Sequence, residues 1–279
     1  STLPARAGRV PRARRRSPRQ RPRRPAVNPL ALLRAMRPAQ WVKNVFVLAP
    51  GLFARGDVTH TDRLSELYRA GWAFLAFCLG ASAIYLVNDL ADAESDRAHP
   101  TKRNRPIASG ELAPPFAVAG SLACVAGALA LGWLAGAGTS RVMLVVGGYM
   151  LLNLAYSLKL KHLVIVDAFC IAAGFLLRVK AGGLAADTYL SHWLMLCTLF
   201  LALFLALCKR RAEIDLLGEE RGSHRAILRE YTPAVIDQMV TLFAASTIVC
   251  YTMYTVADDT TAKYPGNHLI SSVPLVVFG

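Results

Sequence analysis

Apolar residues run almost unbroken over 70–90, 112–136, 142–158, 163–182, 192–208 and 233–256, each near the ~20 residues a helix needs to cross a hydrocarbon core. A shorter run at 41–54, extended by the residues before it, gives another candidate span. An apolar start at Leu269 is still running at Gly279, so the last span looks cut off and an eighth helix remains to be completed. Charged residues collect between the runs. The pattern predicts a polytopic helical membrane protein.

Composition agrees: 54% of the 279 residues are hydrophobic and the mean hydropathy is positive. The net charge of +14 is uneven, because ten arginines and no acid fall in residues 1–29, leaving +4 elsewhere. Pro, Arg and Ser in that tail cannot bury a core. Such a tail neutralises phosphates of nucleic acids or of lipids; ahead of a membrane bundle it is read as disordered and lying on anionic headgroups, with no nucleic-acid partner. No apolar stretch with a cleavage site follows it, which excludes a secretory signal. Residues 30–279 form the transmembrane domain.

Lysines and arginines crowd the loops at 91–111, 159–162 and 209–230 and are scarce in the opposite ones. The positive-inside rule then places these loops and the N-terminus in the cytoplasm. Six cysteines lie singly in apolar spans and the histidines are scattered, so neither a zinc site nor a Cys/His nucleophile is expected. Trp41 and Trp193 are read as interface anchors.

The chemistry concentrates at Asn88 to Gly110. Asn88, Asp92 and Asp96 are spaced by four, so on a helix they form one edge of oxygen ligands on successive turns. Carboxylates at a helix C-terminus oppose its dipole and call for a cation. Mg2+ fits, since it prefers a few carboxylates plus water and substrate phosphates. Lys102 and Arg105 follow, and other helix ends add Arg37, Gln40, Lys43 and Asn44, then Tyr156, Lys159, Lys161 and Asp167, then Lys209, Arg210, Arg211 and Glu213. Cations converging on one face suit a phosphate-rich ligand. His99 beside Pro100 is read as shaping its loop. Arg178, with Lys180, either serves the site or snorkels to the outer interface.

The run Asn88-Asp89-x-x-Asp92-x-x-x-Asp96, then His99-Pro100-x-Lys102-x-x-Arg105-Pro106, with Tyr156-Ser157 and Lys161 downstream, resembles the UbiA superfamily of intramembrane prenyltransferases. The resemblance implies an all-α bundle of about nine transmembrane helices around a central cytoplasm-facing cavity, with Mg2+ on Asn88, Asp92 and Asp96. It places Asp92, Asp96, Lys102 and Arg105 in the catalytic set and the chain in a bacterial inner (plasma) membrane.

One departure stands out: Lys209-Arg210-Arg211-Ala212-Glu213 occupies the place of the family's second aspartate pair. With Arg37-Pro38-x-Gln40-Trp41-x-Lys43-Asn44 and Gly174-Phe175-x-x-Arg178, it is similar to the branch that uses 5-phosphoribosyl 1-diphosphate as donor and decaprenyl (polyprenyl) phosphate as acceptor, toward cell-wall arabinan. That branch implies inversion at C1, and the phosphate acceptor needs no general base. Lys43, Asn44, Tyr156, Lys159, Lys161, Asp167, Lys209, Arg210, Arg211 and Glu213 then contact substrate. A conventional prenyltransferase with an aromatic acceptor and a non-enzymatic phosphate-ligand transporter remain as alternatives, and the pattern is compatible with a homo-oligomer.

Overall fold

The structure, a computed structural model, describes residues 28–53, 60–163, 165–217, 232–263 and 268–278. Six of its helices are long and apolar enough to cross a membrane. In chain order the helices are α1 (Pro29–Ala35), α2 (Ala49–Phe53), α3 (His60–Ala91), α4 (Ala93–Ala98), α5 (Pro114–Ala135), α6 (Ser140–Leu158), α7 (Val166–Ala185), α8 (His192–Leu217), α9 (Pro233–Val256), α10 (Asp258–Lys263) and α11 (Val273–Phe278). The protein is an integral multi-pass membrane protein, and the six spans match the predicted runs closely. Of the arginine-rich tail, residues 1–27 lie outside the described residues; Asn28 and Pro29 belong to the fold, because the Asn28 side chain caps α1 by accepting the N–H groups of Leu30 and Ala31.

Successive long helices pack side by side, α3 on α5, α5 on α6, α6 on α7, α7 on α8 and α8 on α9. Small side chains let them approach. Ala73, Ala76, Ala128, Ala181 and Ala185 surround Phe77, Val142, Val146 and Tyr149 in one cluster, and Ala168, Ala172, Ala202 and Ala206 surround Leu203, Leu207, Ile214 and Ile236 in another. Leu122, Leu144, Leu151, Leu205 and Leu242 point outward, as lipid-facing side chains do. The turn-wise alternation puts the C-terminal ends of α3, α6 and α8 and the N-terminal end of α7 at one end of the bundle.

The predicted span at 41–54 takes another form. Residues Pro38–Val47 make a 3-10 helix, and α2 follows it. In a 3-10 helix residues three apart eclipse one another. Trp41, Asn44, Val47 and Pro50 accordingly share the buried side, with Trp41 Nε1 donating to Ser82 Oγ at 3.1 Å. Trp41 is therefore tied into α3 while remaining partly exposed. Gln40, Lys43 and Phe46 fall on the other side. The segment lies against α3 and α7, so closely that a Cβ on Gly182 would stand 2.0 Å from the Val47 carbonyl oxygen. Only glycine admits that approach. The apolar start at Leu269 becomes a 3-10 turn, His268–Ser272, and α11.

Candidate active site

At the end of α3 the chain stays nearly helical past a break at Asp92. Asp92 N–H donates to the Asn88 carbonyl and Asp96 N–H to the Asp92 carbonyl, both at 2.9 Å. Asn88, Asp92 and Asp96 therefore stand on successive turns, as their spacing predicts. Their surroundings differ. Asp92 is exposed and its carboxylate forms no ion pair among the described residues, whereas Asp96 is 2% exposed. Arg105 Nη1 donates to Asp96 Oδ2 at 2.7 Å and to Asp89 Oδ1 at 3.1 Å. Arg37 Nη2 meets the same Asp89 oxygen at 2.5 Å, and its guanidinium lies 4.9 Å from the centre of the Tyr85 ring.

Two buried carboxylates thus sit beneath two guanidiniums whose side chains remain 31% and 28% exposed for Arg37 and Arg105. The pairing offsets the cost of burying Asp89 and Asp96 and leaves the cationic groups as the accessible layer. Arg37 holds a left-handed backbone at φ 56°, a conformation that costs a non-glycine residue of order 1 kcal/mol and persists where tertiary contacts demand it. Arg37 and Asp89 stand in the motifs read from the sequence, but their pairing across 52 residues is visible only in the structure.

The donor set fits Mg2+. Asn88 offers an amide oxygen, Asp92 an accessible carboxylate, and Asp96 the oxygen not bonded to Arg105. These are few and hard, as Mg2+ prefers, with Asp92 the exposed member. No group of three or more His, Cys, Asp or Glu converges among the described residues. Lys102 is exposed in a 3-10 turn, Lys102–Asn104, that leads into Arg105. His99 Nδ1 accepts the Thr101 N–H at 3.2 Å, the loop-shaping role expected of it.

The basic triplet behaves differently from a loop cluster because α8 continues through it to Leu217. Adjacent helical residues point ~100° apart, so the three cations separate. Arg210, 2% exposed, turns inward: its Nε donates to Asp167 Oδ2 at 3.0 Å and its Nη1 to Glu213 Oε2 at 2.5 Å. Asp167 is wholly buried in the first turn of α7 and its Oδ1 also accepts the Ala168 N–H at 2.8 Å. Arg211 turns toward α9, where its Nε donates to Asp237 at 2.7 Å while Nη1 pairs with Asp215. Lys209 is left exposed. Tyr156 and Lys161 are half-buried and Lys159 exposed, grouped where α6 ends and the chain turns into α7.

Lys43 is exposed on the Pro38–Val47 segment. Partial burial, and after it the charges of Lys209 and Arg178, hold its ammonium below the ordinary lysine range. Asn44 points the other way, into the core, where Arg178 Nε donates to its Oδ1 at 2.8 Å and its Nδ2 donates to Cys78 Sγ at 3.3 Å. With both ends of the amide engaged and the residue buried, Asn44 is an internal strut and not a surface contact. Arg178 does not snorkel; it is 8% exposed and bonded to Asn44, Gly174 and Tyr149. The six cysteines are free thiols.

A multi-pass helical bundle that gathers accessible cations over buried carboxylates at one end is suited to an anionic ligand. The chain belongs to the UbiA prenyltransferase family, whose model matches residues 46–277. It is 41% identical over 230 residues to decaprenyl-phosphate phosphoribosyltransferase of Mycolicibacterium smegmatis, covering 82% of this chain and 71% of that protein. It is also 41% identical over 249 residues to the protein of the same name from Corynebacterium glutamicum, covering 88% and 74%. A solved UbiA homolog from Archaeoglobus fulgidus bound to DMAPP and Mg2+ has a similar fold, with a TM-score of 0.68 at 18% identity, covering 89% of this chain and 86% of that one.

Proposed function

We propose that this protein transfers 5-phosphoribose from 5-phosphoribosyl 1-diphosphate to a polyprenyl phosphate such as decaprenyl phosphate, releasing diphosphate on the cytoplasmic face of a bacterial inner membrane. The observation that carries the reading is the layer of accessible guanidiniums, Arg37 and Arg105, over the buried Asp89 and Asp96, beside the exposed carboxylate of Asp92. That layer suits a phosphate-bearing ligand with a divalent cation beside it. The 41%-identical relatives carry the corresponding name over most of the chain.

An oxygen of the lipid phosphate bonds to C1 of the ribose while the C1–diphosphate bond breaks, with inversion at C1. The acceptor is already an anion, so no side chain has to remove a proton. Arg105 and Lys102, next along the chain from the Asn88–Asp92–Asp96 edge, are assigned to the charge that gathers on the departing diphosphate. Lys43, Lys209, Lys159 and Lys161 are available for the 5-phosphate and the lipid phosphate, and Tyr156 for a hydrogen bond to phosphate or ribose. Arg210, Asp167 and Glu213 hold the α7–α8 side rigid beneath them. Mg2+ held by Asn88, Asp92 and Asp96 would neutralise the leaving diphosphate.

The test is transfer of label from phosphoribosyl diphosphate into lipid by the purified protein in detergent with Mg2+ and polyprenyl phosphate. Asp92→Asn is expected to lower transfer by on the order of 10²-fold or more without loss of fold, and chelation of Mg2+ to abolish it. Incorporation that required a prenyl diphosphate and an aromatic acid instead would sink the reading.

A further inference from the structure

Arg178 lies mid-bundle, and its surroundings go beyond structural filling. Its Nε donates to Asn44 Oδ1, its Nη1 to the Gly174 carbonyl and its Nη2 to Tyr149 Oη, each at 2.8 Å. The guanidinium is 4.6 Å from the centre of the Tyr149 ring and 5.4 Å from that of Phe175. No carboxylate pairs with it among the described residues. A buried cation without a counter-ion is expensive, and a neutral donor would satisfy one amide and one carbonyl at lower cost. The single bond of Arg178 that leaves α6 and α7 is the one to Asn44 in the Pro38–Val47 segment. Asn44 is the neighbour of Lys43, and in a 3-10 helix fixing one residue's direction fixes the next.

We propose that Arg178 is a positioning residue of the anion site: by gripping the buried Asn44 it sets the rotation of Pro38–Val47 and so keeps Lys43 turned to the exposed side of the segment. This rests on the phosphoribosyl diphosphate reading of that site. Phe46, stacked edge-on against Phe175 at 5.2 Å on the same two elements, steadies the segment from its other side.

The experiment is direct binding of phosphoribosyl diphosphate with Mg2+ to the full chain in detergent by titration calorimetry, with thermal unfolding and steady-state rates alongside. Lys43→Ala is expected to weaken binding about tenfold. Arg178→Gln and Asn44→Ala are each expected to do nearly the same while the rate at saturating donor changes little, and Lys43→Ala combined with Arg178→Gln to bind no more weakly than Lys43→Ala alone. Arg178→Lys, which keeps the charge but cannot bridge Asn44 and Tyr149, is expected to remain impaired. Additive losses in the double variant, or unaltered affinity in Asn44→Ala, overturn the inference. A wild-type chain that does not bind phosphoribosyl diphosphate overturns the site reading itself, a result separable from normal wild-type binding with an unaffected Asn44→Ala.

Discussion

The ends of α3 and α8 carry opposite arrangements of the same charges. At α3 the carboxylates of Asp89 and Asp96 are buried and the guanidiniums of Arg37 and Arg105 lie above them, partly in water. At α8 the guanidinium of Arg210 is buried, held by Asp167 from below and Glu213 from the rim. One end turns cations outward over an acidic floor; the other locks its strongest cation inside and leaves the neighbouring Lys209 to face outward. Having arginines in a sequence motif does not place them in a ligand's path. Their phase on the helix decides.

The contrast can be broken most severely at α8. Arg210→Met strands the wholly buried Asp167 and is expected to cost roughly 3–5 kcal/mol of stability, measurable as a lowered unfolding midpoint in detergent, with Arg210→Met plus Asp167→Leu recovering most of it. Asp89→Asn, by comparison, strands guanidiniums that still reach water, and about 1–3 kcal/mol is expected by the same measurement. Lys209→Ala should leave stability unchanged and raise the donor KM about tenfold with little change in kcat, the signature of lost uniform binding. The smallest effect is expected of Arg211→Ala, whose exposed ties to Asp215 and Asp237 contribute little; donor KM and rate should both stay near wild type. A large KM effect there would return the whole triplet to the ligand and erase the difference between the two ends.

Hydropathy marked the spans well because lipid solvation acts on each residue in turn. The run at 233–256 coincides with α9, and 112–136 with α5 to within two residues at its start and one at its end. It stopped at 208 for α8, although the helix continues to Leu217; loss of apolarity marks the hydrocarbon boundary and not the end of backbone hydrogen bonding. That one difference separated Arg210 and Arg211 from the site. The four-residue spacing of Asn88, Asp92 and Asp96 was legible because it is local. The partners of Arg178 were not, since Asn44 lies 134 residues away and nothing in either stretch announces the other. The 3-10 segment hid for a different reason: its buried positions recur every three residues, close enough to a helical period to pass for a short span.

That triplet period makes Pro38–Val47 a register element. Each residue turns the segment by about 120°, so inserting one residue after Gln40 would swing lysine toward the core and asparagine toward the open face. Three inserted residues would restore the facing and lengthen the segment by about 6 Å. Length variation along this stretch should therefore be tolerated in threes or not at all, and the spacing between Trp41 and Pro50 is as much a part of the protein's identity as any side chain within it.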